Sequence, residues 1–218
     1  MRKVLSVLFT FGSLAAPLLL HAQKTQVSQA RHVSTEERIL TLPIETAFKG
    51  TDKFHRIMAQ AQREQWHRLA IGDRVARFGV ALIGTPYKGF TLEIDNRIEC
   101  PSVNMLGLDC WTFFEISMGM ARMVETPKQR YDPIDLLREI KTTRYRQGRC
   151  SGNYLERLHY LADWYVDNDA RGTIDDLTRN FGGVRFKNRR ITEMTQLWKS
   201  YRYLKHNPSL RPGMAQHE

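Results

Sequence analysis

The stretch from Trp111 to Val124 constrains this chain more than any other. Trp111, Phe113, Phe114, Ile116, Met118, Met120, Ala121, Met123 and Val124 fall on every face of a helix. A helix apolar all round belongs inside a domain, so other elements have to be built around it. Asp109 suits its N-cap, Gly107 the turn before it, and Thr126-Pro127 its end. Cys110, in "GLDCWTFFE", then falls in the first helical turn.

The surrounding sequence supplies further helices. Between residues 44 and 71, Phe54, Ile57, Met58, Ala61 and Leu69 recur at helical spacing among many charges, which predicts one or two surface helices. Val75, Phe78, Ala81 and Leu82 form the stripe of a helix over 73–82, stopped by Gly84 and Pro86. In "GTPYKGFTLEID" the glycines and proline make a turn, and "FTLEI" alternates like a strand. Asp132-Pro133 opens an amphipathic helix in "DPIDLLREIKTTRY". "NYLERLHYLADWYVDN" has Leu155, Leu158, Tyr160, Leu161, Trp164 and Tyr165 at helical spacing, with His159 among them. "RGTIDDLTRNFGGVRFKN" is turn-rich, with room for short strands. Residues 185 to 205 carry Arg185, Lys187, Arg189, Arg190, Lys199, Arg202 and Lys205 against Glu193 alone. With Trp198, Tyr201 and Tyr203 interleaved, this run has the look of a nucleic-acid surface, but a solvated amphipathic helix is the commoner meaning.

At the N-terminus, Arg2 and Lys3 precede an apolar stretch from Val4 to Leu20, and Leu20-His21-Ala22 offers a cleavage site. Residues 1–22 are therefore expected to be an export signal, 23–35 a flexible lead-in, and 36–218 a single domain. Retention as a membrane anchor is disfavoured because the clean apolar run is too short to span a bilayer comfortably. The expected location is periplasmic or secreted. A formal net charge of +10 then points to anionic envelope polymers or lipids, and export argues against nucleic acid. Three cysteines leave at least one unpaired thiol. Cys100 and Cys150 lie in polar surroundings, so a Cys100–Cys150 disulfide with Cys110 free is one expectation, and three free thiols the other.

A cysteine in the first turn of a helix meets unpaired backbone N–H groups and a dipole that favours the thiolate. Such a thiolate needs a histidine to carry the proton and a third group to orient that histidine. A small buried hydrophobe is the ordinary fate of a free cysteine. No metal or cofactor is indicated. The cysteine spacings do not suit zinc, and "FGGVRF" lacks the lysine-serine end of a phosphate loop. Glu93, Asp95 and Glu99 would offer a glycosidase pair, but scattered loop acids are usually solvated.

Three strings in order, "GTPYKGFTLE", "VNMLGLDCWTFFE" and "ERLHYLADWYVDN", resemble the bacterial N-acetylmuramoyl-L-alanine amidase-like family of the papain-like NlpC clan. The resemblance spans Val75 to Asn168 closely and the later basic segment loosely. It implies an α+β, papain-like cysteine hydrolase core, with Cys110 attacking an N-acetylmuramoyl–L-alanine or stem-peptide amide. It also implies that Tyr87 lies near the thiol. Tyr87, Glu93, Asp109, Tyr160 and Trp164 are the candidate substrate-binding residues, and peptidoglycan fragments the expected partner. The clan takes its catalytic histidine from a strand well after the cysteine helix, in a histidine-x-glycine string. Here His206 and His217 lack that glycine, and no β-rich run follows. The expectation is accordingly a helix-dominated chain with the C-terminal sheet largely missing, a shortened relative or the front part of an enzyme. His159 is the remaining candidate base, with Asp163 one turn on to orient it; a core or substrate-lining histidine is the plainer reading. A non-catalytic envelope protein binding muropeptide or anionic polymer is the alternative function.

Overall fold

The structure is a computed structural model, and it describes residues 40–182 and 190–218. The expected signal and lead-in lie outside the described residues, as do 183–189 of the turn-rich and basic stretches. The described residues fall in one compact unit, Ile39–Glu218.

The chain enters through a short helix α1 (Ile44–Ala47) and strand β1 (Phe48–Lys49), then helix α2 (Thr51–Arg63). Helix α3 (Ile71–Leu82) follows, and a long loop leads to strand β2 (Val103–Asn104) and helix α4 (Cys110–Met123). Helices α5 (Pro133–Arg144) and α6 (Leu161–Ala170) come next. Beyond residue 190 lie the short helices α7 (Glu193–Gln196), α8 (Arg202–His206) and α9 (Arg211–His217). β1 and β2 pair in parallel, Phe48 with Val103 and Lys49 with Asn104. The fold is thus helix-rich with a very small sheet.

Helix α4 is the expected centre, packed against α3 on one side and α5 on the other. Two glycines set these approaches. A Cβ on Gly79 of α3 would lie 3.2 Å from the Phe113 ring, and one on Gly119 of α4 would lie 2.9 Å from Leu136 Cδ1 of α5. Phe54, Phe78, Met105, Ile116, Met120, Leu136 and Ile140 fill the main core. Trp66 meets Phe78 edge-on at 4.9 Å. A second cluster, around Tyr154, Met194, Tyr203, Leu204 and Met214, gathers the C-terminal turns. The basic stretch is therefore broken into short turns anchored by buried residues, and not a single solvated helix. Helix α4 is not covered everywhere, since Cys110, Phe113 and Phe114 in its first turns reach solvent.

A carboxylate sits in the middle of this apolar helix. Glu115 is fully buried and paired with Arg144, only 2% exposed, at the end of α5. Arg144 Nη2 donates to Glu115 Oε2 at 2.6 Å, Nε reaches both carboxylate oxygens at 3.1 Å, and Nη1 donates to Ser102 Oγ at 3.2 Å.

Three expectations need correction. "FTLEI" is not a strand: Phe90 takes a left-handed backbone (φ 59°), Thr91 and Leu92 turn, and Asp95 accepts bonds from the amides of Arg97 and Ile98. His159 is not helical, because Tyr154–Glu156 forms one 3-10 turn, Arg157 and Tyr160 are extended, and Leu158 and His159 between them are in no helix. Tyr145 and Arg157 form an antiparallel bridge, and Leu158 N donates to Arg144 O at 2.9 Å, so α6 begins only at Leu161. Finally, Cys100 and Cys150 are buried free thiols with no disulfide. The Cys150 thiol donates instead to the Glu99 carbonyl at 3.7 Å, and burial pushes its pKa up to about 11.

Removing the buried carboxylate by Glu115→Ala strands the Arg144 charge and should cost about 3–5 kcal/mol in urea unfolding. Gly119→Val should cost about 1–3 kcal/mol in the same measurement by forcing α4 and α5 apart.

Candidate active site

The start of α4 is built by its local sequence. Asp109 caps it through a reciprocal box: Thr112 N donates to Asp109 Oδ1 at 2.8 Å, and Asp109 N donates to Thr112 Oγ1 at 2.9 Å. The "GTPY" turn is tied beside it by backbone bonds, Leu108 N to Pro86 O at 3.1 Å and Lys88 N to Leu108 O at 2.9 Å. Gly107 permits this approach, since a Cβ there would lie 2.8 Å from Lys88 Cβ. Cys110 is the first residue of the helix and is exposed. Tyr87, 79% exposed, stands next to that turn.

Two hollows flank this point. A cleft of about 550 Å³ is lined by Tyr87, Glu93, Asp109, His159, Tyr160 and Trp164, with Trp111, Tyr154 and Tyr201 adding aromatic surface. Cys110 lines an adjoining hollow of about 270 Å³ with Phe113 and Leu82. Tyr87 and Asp109 border both hollows. The fold therefore gathers His159 and every candidate substrate-binding residue into one cleft, and sets Cys110 immediately beside it on the capped turn.

The far wall of the cleft rests on Arg157, which is buried. Its Nη2 reaches Glu93 Oε1 at 3.2 Å, and its Nη1 lies 3.5 Å from Glu99 Oε1. The guanidinium also stands 4.7 Å from the centroid of the Tyr154 ring. Glu99 accepts from Tyr145 Oη at 2.7 Å, and burial pushes its carboxyl pKa up against the pull of Arg157. Tyr154 Oη donates to Glu93 Oε1 at 2.9 Å. Glu93, which might have been a solvated loop acid, is thus a fixed cleft residue.

His159 Nε2 lies 2.9 Å from the Tyr154 carbonyl, and its ring centre 4.3 Å from that of Tyr154. Desolvation, followed by the Arg157 guanidinium, holds its pKa well below the ordinary imidazole range. A neutral ring donates Nε2–H to that carbonyl. Asp163 does not orient it, because both carboxylate oxygens are taken by Arg146. Tyr160 Oη donates to Glu218 Oε1 at 2.6 Å and accepts from Met194 N at 3.1 Å, so the C-terminal turns fix this side chain. Trp164 meets Trp111 edge-on at 5.4 Å, and its buried indole Nε1 has no partner among the described residues. Among those residues no group of His, Cys, Asp and Glu is arranged to hold a metal ion.

The residues that reading along the chain missed are the buried charges Glu115, Arg144 and Arg157. One signal was available: a lone acid in an otherwise apolar helix requires a buried cation.

The depressed His159 pKa has a measurable consequence. The unfolded chain binds a proton at this ring near its ordinary value of 6.5, and the folded chain does so only at lower pH. Stability from this group is full above that value and is lost as pH falls below it. The unfolding free energy should therefore drop between about pH 7 and pH 5, and His159→Gln should flatten that slope in urea titrations.

Comparison with known proteins agrees with this architecture. No protein of curated function matches the chain. Among solved structures, a candidate xylanase from Bacteroides fragilis is 33% identical, with a TM-score of 0.56 over 64% of this chain and 58% of its own. An N-acetylmuramoyl-L-alanine amidase from Bacteroides uniformis ATCC 8492 is 25% identical, with a TM-score of 0.56 over 68% of this chain and 60% of its own. A second crystal structure with the same description and source, at 24% identity, gives a TM-score of 0.59 over 66% and 60%, a likeness of fold. The chain thus spans about three fifths of the length of these structures. The family described as AmiA-like, N-acetylmuramoyl-L-alanine amidase-like, matches residues 77–218, from α3 through the last helix. The chain belongs to the AmiA-like, N-acetylmuramoyl-L-alanine amidase-like family.

Proposed function

We propose that this protein is an exported peptidoglycan amidase-like cysteine hydrolase of the papain-like NlpC type, acting in the periplasm or outside the cell. The observation that carries the reading is Cys110, an exposed thiol on the first turn of a capped helix, beside an aromatic cleft. Its sulfur attacks the carbonyl carbon of an N-acetylmuramoyl–L-alanine or stem-peptide amide. The C–N bond breaks, the amine leaves with the thiol proton, and water then hydrolyses the thioester and restores the thiol. Backbone N–H groups at the start of α4 are suited to the developing oxyanion. Tyr87 and Asp109, shared by both hollows, would guide the scissile amide to the sulfur, while Glu93, Tyr160 and Trp164 hold the remainder of the fragment. No helix among the described residues is long and apolar enough to cross a membrane.

His159 fits this scheme as a neutral cleft wall better than as the base. Its Nε2 is engaged by a carbonyl, and a weakly basic ring accepts the thiol proton poorly at neutral pH. A muropeptide-binding protein without turnover is the second reading, favoured by one observation: among the described residues no hydrogen bond reaches the Cys110 thiol, and His159 lines the other hollow.

The mature protein should release peptide from soluble muropeptides, with Cys110→Ser abolishing release in a chromatographic assay. Binding without release would favour the second reading. Cys100 and Cys150 are buried, so iodoacetamide labels Cys110 selectively. The pH profile of that alkylation should be the same in wild type and His159→Ala; a shifted profile would restore His159 as the thiol's partner.

A further inference from the structure

Beside the aromatic cleft lies another hollow, of about 450 Å³, lined by Lys199, Ser200, Arg202, Lys205 and His206. It shares Phe90 and Glu93 with the cleft. The acid at this seam is already committed. Glu93 Oε1 accepts from Tyr154 Oη and Arg157 Nη2, and its Oε2 accepts from Arg202 N at 3.1 Å. Both of its oxygens are engaged by these donors and not by a lysine, so the lysines of the hollow remain a surplus of positive charge. Among the described residues neither Lys199 nor Lys205 forms an ion pair, and the Lys199 ammonium lies 5.6 Å from the centroid of the Trp198 ring.

These cations stand on a fixed frame. Arg202 Nη1 donates to the Glu93 carbonyl at 2.8 Å, and its Nε donates to Asn96. Between Arg202 and Lys205, Tyr203 and Leu204 are fully buried. Tyr203 stacks on Tyr154 at 4.5 Å and donates to the Ile98 carbonyl at 2.7 Å. Phe90 marks the seam in another way. It is 80% exposed, and its backbone is left-handed, a conformation bulky residues rarely adopt. Strain and exposure together at a position lining two hollows point to a ligand contact.

We propose that the two hollows form one groove with Phe90 at the seam, in which Lys199, Arg202 and Lys205 receive the carboxylates of a muropeptide's peptide arm. The rest of the arm crosses the aromatic cleft, with the scissile amide at its Tyr87–Asp109 edge beside Cys110 and the sugar beyond it. The inference rests on the peptidoglycan reading above and adds the direction in which the ligand lies. A carboxylate on two or three exposed cations gains modest, salt-screened attraction, so this end selects among peptide arms and the aromatic cleft supplies apolar contact.

The test is calorimetric titration of the Cys110→Ser protein, which blocks turnover. The ligand is an N-acetylmuramoyl tripeptide with free carboxylates, or the same compound with those carboxylates amidated. Lys199→Gln/Lys205→Gln in that background should weaken binding of the free-acid ligand about tenfold. The amidated ligand should bind both proteins equally weakly. Both lysines are exposed, and an unchanged circular dichroism spectrum identifies a folded variant. Equal affinity of the two proteins for the free acid, or no binding to either, overturns the proposal. So does inorganic phosphate binding as tightly as the free-acid ligand, which would identify a general anion site. Wild-type turnover is measured separately. Turnover with lysine-independent binding removes the groove and leaves the hydrolase, whereas lysine-dependent binding without turnover removes the hydrolase and leaves the groove.

Discussion

A carboxylate buried in an apolar helix organises this molecule. Glu115 lies in α4, where its charge is tolerable only against a cation brought in from elsewhere in the chain. Arg144 meets that need from the end of α5, and its backbone carbonyl accepts from Leu158. The next residue, Tyr145, bridges to Arg157, whose guanidinium turns to Glu93 and Glu99. The chain of charges and backbone bonds thus runs from the cysteine helix to the far wall of the cleft. It carries His159, Tyr160 and Trp164 to where they face the "GTPY" turn.

The same network divides the chemistry of the site. On one side, a capped helix start presents Cys110 beside Tyr87, held by the parallel bridge between Tyr87 and Leu108. On the other, Arg157 fixes Glu93 and helps keep the His159 ring neutral. An imidazole packed at a tilt against Tyr154 and bonded to a carbonyl is well suited to shape a binding wall and poorly suited to shuttle protons. The C-terminal turns complete the wall, with Glu218 and Met194 orienting Tyr160. Their basic outer face lines a second hollow that shares Phe90 and Glu93 with the cleft.

Much of this was legible along the chain where the signal is local. The bounds of α3, α4 and α5 follow from apolar spacing, from the Asp109 and Asp132 caps, and from Gly84 and the Thr126-Pro127 stop. Strand "FTLEI" misled because its alternation is real but the left-handed Phe90 and the Asp95 turn break it. The segment around His159 misled similarly. Helical spacing of Leu155, Leu158 and Tyr160 is overridden when burial of Arg157 and pairing with Tyr145 demand an extended backbone. Solved neighbours and the family match support the amidase-like assignment that the three strings suggested.

Local pattern by itself determined a cysteine-bearing helix of the interior, its cap and the helices on either side of it, while the family came from the resemblance of three strings and the family match. Such features depend on residues within a few positions of one another, which periodicity and capping chemistry record. The tertiary structure alone decided which acids are buried and which solvated, that desolvation lowers the His159 pKa, and that Cys110 stands beside the cleft and not within it. It also decided that the basic stretch lines a hollow sharing Phe90 and Glu93 with that cleft. Each of these depends on charges and backbone groups distant in sequence, whose desolvation and pairing have no local periodicity to reveal them.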